Sequence, residues 1–156
     1  MIMGDQTLHG IASIRPFEPG DFDAIEAIYA QSKLDELRFE QGPFELLPLK
    51  QDKQRFRNLM AAHIVVSGHP DVQGFGAVFE SEIRAIFVHP SYRGKGVGKA
   101  LLQHLISVAG KPARLSVAKS NAPAVELYRR HGFVTLREFE AYYNGVPVQA
   151  IEMERS

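Results

Sequence analysis

The chain has 156 residues, 45% of them apolar and 23% charged, and its 18 basic side chains balance its 18 acidic ones. This predicts a single domain over 1–156 with a real core, and no global field to favour nucleic acid or an anionic membrane. Cys is absent, which removes disulfides, a thiol nucleophile and thiolate metal sites, and without an 18-residue apolar run or a basic-then-apolar leader the expected location is the cytoplasm.

Residues 1–10 read as a loose end. Ile11 to Arg15 alternates weakly as a short first strand, and Pro16 to Gly20 breaks it. Asp21 is a good N-cap, and Phe22, Ile25, Ile28 and Tyr29 fall on one helical face, which predicts a helix over 21–33. Leu34 to Leu49 lacks clean periodicity. It carries Asp35, Glu36, Glu40 and Glu45 against one base, Arg38, and is long for a plain connector. Gln51 to Ala61 reads as a second helix with Phe56, Leu59 and Met60 inward. His63 to Ser67 is a strand, Gly68 to Asp71 is turn chemistry, and Gln73 to Glu80 is the partner strand. Ser81 starts a tight return into Ile83 to Val88, so three consecutive strands make an antiparallel meander.

His89-Pro90 stops the third strand, because Pro90 cannot donate to a ladder. Arg93-Gly94-Lys95-Gly96-Val97-Gly98 follows and runs at once into a helix over about 97–109. Val97, Leu101, Leu105 and Val108 form its apolar stripe, and Gly110 and Pro112 end it. Strand, glycine-rich turn and helix in that order make an anion site. The glycines let the backbone curl, and the helix adds its unpaired first-turn N–H groups and the positive end of its dipole. Arg93, Lys95 and Lys99 add formal charge, and a diphosphate is the natural guest.

Two common nucleotide loops fail on spacing. A Walker A loop needs four residues before its Gly-Lys pair and then Ser or Thr; here Gly94 to Gly98 leaves three, and Ala100 follows Lys99. A dinucleotide fingerprint needs G-x-G-x-x-G and a carboxylate after the next strand; here the spacing is G-x-G-x-G and the strand runs into Ala118-Lys119.

Arg114 to Val117 follows a full helix, so it should lie parallel to the Ile83 strand. Asn121 caps the next helix, Pro123 sits in its first turn, Val125, Leu127 and Tyr128 give it apolar body, and Gly132 follows its end. Phe133 opens a strand to about Tyr143, Asn144-Gly145 is a hairpin turn, and Val146 to Met153 returns. The order is β-α-α-β-β-β-α-β-α-β-β. It predicts an α/β (mixed α+β) domain with a mixed, mostly antiparallel central sheet and helices on both faces.

The glycine loop resembles motif A of the GCN5-related N-acetyltransferases (the GNAT superfamily), Q/R-x-x-G-x-G/A, with Arg93, Gly96 and Gly98 in its three places. Asn121 to Phe133, NAPAVELYRRHGF, resembles the family's motif B in its Asn, its Leu-Tyr pair and its Gly-Phe ending. The GNAT fold has the same element order, so the resemblance spans roughly Ile11 to the C-terminus and is strongest over 82–133. It implies an acetyl-CoA-dependent N-acetyltransferase. The acetyl group would pass from acetyl-CoA, a cosubstrate, to a primary amine of a small molecule or peptide, by direct attack in a ternary complex. The alternative is a module of the same fold that binds an acyl-CoA as a regulator without turnover. No metal is expected, since the six His show no ligand spacing.

The resemblance also implies roles. Arg93, Gly94, Lys95, Gly96, Val97, Gly98 and Lys99 grip the pyrophosphate of coenzyme A. A bulge in the preceding strand, and its splaying from the next, free the backbone of Phe87 and Val88 for the pantetheine arm and the acetyl oxygen. Asn121 lies near the pantetheine. Tyr128 is the candidate acid, a phenol able to donate to the developing thiolate. An attacking amine of pKa about 10.4 must shed a proton. Glu82, just ahead of the Ile83 strand, is the first candidate base and Glu80 the second. Leu34–Leu49 and the Tyr142–Gly145 hairpin flank the acceptor mouth, where acidic residues beside aromatics suit a cationic amine. A small free amine fits better than a histone-like tail. The exposed C-terminal strands leave room for a homodimer.

Overall fold

The apolar runs pair in the expected order. The computed structural model describes residues 13–156, so the loose end and Ile11–Ala12 of the first strand lie outside the described residues. The elements are β1 (Ile14–Pro16), α1 (Phe22–Ser32), α2 (Lys53–Met60), β2 (His63–Ser67), β3 (Gly74–Phe79), β4 (Glu82–Val88), α3 (Val97–Ala109), β5 (Ala113–Ala118), α4 (Ala122–Arg130), β6 (Val134–Tyr143) and β7 (Val146–Arg155). They form one seven-stranded sheet in the order β1-β2-β3-β4-β5-β7-β6. Among the described residues, no helix is long and apolar enough to cross a membrane.

β1 to β4 form the antiparallel meander, α3 crosses over, and β5 returns parallel to β4. β7 pairs antiparallel with β5 and with β6, which lies at the edge. Period-two alternation splits the core between the two faces. Val65, Ile83, Leu115 and Met153 pack with Leu101, Leu102 and Leu105 of α3 on one face. Ile64, Val66 and Phe75 pack with Ile25, Ile28 and Tyr29 of α1 and Leu59 of α2 on the other. Gly76 lets α3 lie close on β3: a Cβ there would stand 2.6 Å from Leu105 Cδ1.

Some local expectations needed adjustment. Val108 and Met60, read as inward, are exposed at the last turns of their helices. Asp21 occupies the N-cap position of α1 without capping it. Its carboxylate instead takes two bonds from the Arg15 guanidinium, each 2.8 Å, and one from the Glu18 N–H. Part of the supposed connector is helical, because Lys33–Leu37 continues α1 as a 3-10 turn.

One irregularity positions the site. β4 and β5 pair only at Glu82 and Arg114, next to a bond from the Arg114 N–H to the Ser81 carbonyl. Beyond that point the two strands splay. A bulge at Arg84, where Ala77 faces Ala85 but Val78 faces Ile83, bends β4 within the same stretch.

Candidate active site

A cleft of about 1230 Å³ occupies the wedge, with the α3 loop at one end and α2 and the β6–β7 hairpin at the other. At the loop end, Gly94 and Gly96 have φ of +77° and +84°. A Cβ at either would meet nothing within 4 Å, so backbone conformation rather than space calls for glycine there. Among the described residues, no backbone N–H from Gly94 to Lys99 has a partner. The first bond of the helix runs from the Ala100 N–H to the Gly96 carbonyl, 3.0 Å. A row of unpaired donors at the positive end of a helix fits a diphosphate. Arg93, Gly94, Gly96, Val97, Gly98 and Lys99 all line the cleft. The Lys95 side chain stands instead over the Tyr92 ring, 5.5 Å from its centroid. Arg93 is ion-paired with Asp35 of the 3-10 turn, so an incoming anion meets a guanidinium that already has a partner.

Hydrogen-bond alternation decides which backbone groups face the wedge. The His89 N–H donates to the Gln73 carbonyl, 2.8 Å, and the same register pairs Phe87 with Phe75. Alternation along an antiparallel ladder then turns the backbone of Ile86 and Val88 toward β5. The Val88 backbone thus faces the gap. The Phe87 backbone, expected to face it too, belongs to the β3 ladder instead; its ring packs between Tyr29 and Phe75, at centroid distances of 5.3 and 5.4 Å. Ser32 Oγ donates to the Val88 carbonyl, 3.1 Å, which leaves the Val88 N–H as the group open to a ligand.

Across the wedge, α4 carries the other two expected residues. Asn121 is 8% exposed and stands at the N-cap, yet only its backbone carbonyl serves the helix, accepting from the Val125 N–H at 3.1 Å. Asn121 lines the cleft. Tyr128 lines the same cleft with its ring edge-on to Phe133, and its hydroxyl has no partner among the described residues. Burial pushes its phenol above the usual range, so at neutral pH it is a protonated donor.

Glu82 lines the cleft at the narrow end of the wedge and takes a 2.8 Å bond from Arg84 Nε on Oε1. Glu80 lies in the preceding turn at φ +55° and does not line the cleft, which separates the two carboxylates.

The two expected walls of the acceptor mouth touch. Tyr143 Oη accepts from the Leu47 N–H at 2.8 Å, and Asn144 Nδ2 donates to the Glu45 carbonyl at 3.1 Å. Two of the four acidic side chains of residues 34–49 are neutralised, because Asp35 is paired with Arg93 and Glu36 with Lys33. Sequence reasoning missed Ile86, Ser32, Tyr29, Lys33 and Arg55. Tyr29 was legible only as a core position, and nothing local ties Ser32 to a strand 56 residues away.

The acetyltransferase (GNAT) family model matches residues 11–133. The streptothricin acetyltransferase of Streptomyces lavendulae is 36% identical over 92 residues, 53% of this chain and 49% of that protein. The chain spans less than half the length of the first curated relatives it matches. The uncharacterised N-acetyltransferase YafP of Escherichia coli is 30% identical over 128 residues, 80% of this chain and 83% of that one. A GCN5-related N-acetyltransferase structure from Rhodopseudomonas palustris superimposes with a TM-score of 0.77 at 18% identity, over 94% of this chain and 96% of that one. With a glycine-loop helix and a tyrosine-bearing helix facing each other across a splayed strand pair, and a family model covering most of its length, the chain belongs to the GNAT acetyltransferase family.

Proposed function

We propose that this single domain transfers the acetyl group of acetyl-CoA to a primary amine by direct attack in a ternary complex. The observation that carries the reading is the shared cleft: unpaired N–H groups of Gly94 to Lys99 and the unpartnered Tyr128 hydroxyl open onto the same wedge. Acetyl-CoA supplies the acyl group, and the chain's residues hold and polarise it. The α3 loop, Arg93 and Lys99 bind the pyrophosphate. The Asn121 amide and the turned-out backbone of Ile86 hold the pantetheine arm, and the Val88 N–H donates to the acetyl oxygen.

The amine nitrogen attacks the carbonyl carbon and the C–S bond breaks. An acceptor that enters as the ammonium gives one proton to solvent before attack, and the second, from the nitrogen of the adduct, leaves through water to the free oxygen of Glu82. The departing sulfur takes the phenol proton of Tyr128, which is regained from solvent. General acid help of this kind is worth roughly 10²–10⁴ in rate. YafP, which is named as an N-acetyltransferase, supports N-acetylation as the reaction class.

The test is thiol release from acetyl-CoA across a panel of amines. Tyr128→Phe is expected to lower kcat by about 100-fold or more while leaving the Kd for coenzyme A within about 2-fold. Wild-type turnover in that variant returns Tyr128 to the core. No thiol release with any amine, alongside tight coenzyme A binding, leaves the regulatory module in place of the enzyme.

A further inference from the structure

At the end of the cleft away from the α3 loop, two cations converge on one aromatic ring. Lys33 Nζ lies 5.2 Å, and the central guanidinium carbon of Arg55 5.7 Å, from the Tyr143 centroid. Both residues line the cleft, although they come from different elements. Lys33 is 8% exposed and gives one of its three ammonium donors to Glu36, at 2.8 Å. Arg55 is held to Asp52 through Nε, at 3.2 Å, and through its own backbone N–H. Its terminal Nη1 and Nη2 groups have no partner among the described residues. Tyr29 closes the same space. It is 2% exposed, and its hydroxyl is buried without a hydrogen bond. Burial pushes its phenol above the usual range; the Arg55 charge acts against that, and Tyr143, Asp52 and Glu36 act with it.

None of these groups has work in the coenzyme half of the cleft. A buried hydroxyl without a partner is costly, and a guanidinium fork held only at Nε presents two parallel N–H groups. That pair matches the two oxygens of a carboxylate. Asp52 and Glu36 each take one contact from their cation, so the donors left over are the Arg55 fork, the remaining Lys33 protons and the Tyr29 hydroxyl.

We propose that this end of the cleft is a carboxylate subsite: the acceptor amine carries a carboxylate that seats on Arg55 Nη1 and Nη2, with Tyr29 as a second donor, so the acceptor is of the amino-acid type rather than a polyamine. This rests on the acetyltransferase reading. It also replaces the cationic acceptor suggested by the acidic composition of residues 34–49, whose Asp35 and Glu36 are already paired.

The experiment compares free amino acids with their carboxamides and their decarboxylated amines in the thiol-release assay, with short peptides beginning in Asp or Glu as a further arm. The free acids are expected to exceed their carboxamides by about 10- to 100-fold in kcat/KM, the span of a charge-assisted bidentate pair. Arg55→Gln should erase that preference through KM, leaving kcat and the Kd for coenzyme A within about 3-fold. Tyr29→Phe should move it in the same direction by less. Preference for the acidic peptides over the free acids, lost in Arg55→Gln, would still support the subsite and assign the carboxylate to a side chain. Carboxamides or decarboxylated amines used as well as the acids, or a preference that survives Arg55→Gln, would overturn it. A second measurement needs no turnover: binding of N-acetyl amino acids and their amides to the coenzyme A-saturated protein, followed by NMR line broadening. If no amine is acetylated but the N-acetyl acids bind through Arg55, the transfer reading falls and the subsite stands. If neither the acids nor the amides bind, the subsite falls.

Discussion

Replacing Gly96 by Asp tests the coenzyme loop at a position where backbone strain and charge can be separated. Gly96 stands at the N-cap of α3 with φ +84° and ψ +2°, and a Cβ there meets nothing within 4 Å. A side chain therefore fits. Its backbone costs about 1–2 kcal/mol in the left-handed region, where Asn and Asp are the best tolerated of the non-glycine residues. The added charge acts on binding. A carboxylate about 5 Å from two phosphate charges, at an effective dielectric of about 40–80, opposes them by roughly 2–3 kcal/mol in all, or about 30- to 150-fold in affinity. Gly96→Asn carries similar strain without the charge and should lose no more than a few-fold. Thermal melting reads both. Coenzyme A at about 100 times its wild-type Kd stabilises by about 2.7 kcal/mol, which for a chain of this size is a rise of about 5–10 °C. At the same concentration the Asp variant should gain under about 1 kcal/mol, at most about 3 °C. A full shift in the Asp variant would remove the diphosphate from this loop. Equal losses in the Asn and Asp variants would make the effect conformational.

Asp35→Asn should tighten coenzyme A binding by about 1.5- to 5-fold at low salt, because it frees Arg93 from a half-exposed pair worth about 0.2–1 kcal/mol. Calorimetry at two ionic strengths checks it; the gain should shrink at high salt, and an unchanged affinity would mean that Arg93 does not meet the anion. Gly76→Ala should destabilise the fold by about 1–3 kcal/mol, since the new methyl would stand 2.6 Å from Leu105 Cδ1 and 3.2 Å from the Ala85 carbonyl oxygen. Denaturant unfolding measures it, and a wild-type midpoint would refute the close approach of α3 to β3.

The coenzyme half was legible because its determinants are contiguous. Glycine spacing, a preceding strand and a following helix are all written between Ile83 and Ala109, and the structure assembles them in that order. Asn121 and Tyr128 were legible for the same reason, as two positions of one capped helix. Phe87 shows where this stops. Sequence places it next to the wedge, but only the register with β3, anchored by the His89 N–H on Gln73, shows that its backbone faces the ladder and that Ile86 faces the gap. The acidic count over 34–49 is incomplete in a similar way. Composition registers Asp35 and Glu36 but not the Arg93 and Lys33 that meet them.

The acceptor half was illegible because it has no segment of its own. Tyr29 and Ser32 come from α1, Lys33 from the turn after it, Arg55 from α2 and Tyr143 from β6. Each satisfies a local rule that predicts something else: Tyr29 a core stripe, Arg55 a first-turn base beside its capping Asp52, Tyr143 a strand end before a hairpin. They come together only when α1 lies across β4. The turn that ends α1 touches both ends of the cleft. Within five residues, Ser32 holds the Val88 carbonyl, Lys33 faces the Tyr143 ring, Asp35 takes the coenzyme-loop Arg93, and Glu36 takes Lys33. A diphosphate that claims Arg93 removes Asp35's partner on the turn that carries the acceptor wall. On the proposed reading, coenzyme and acceptor affinities are expected to be linked through Lys33–Leu37, with Asp35 held against the loop of one site and on the wall of the other.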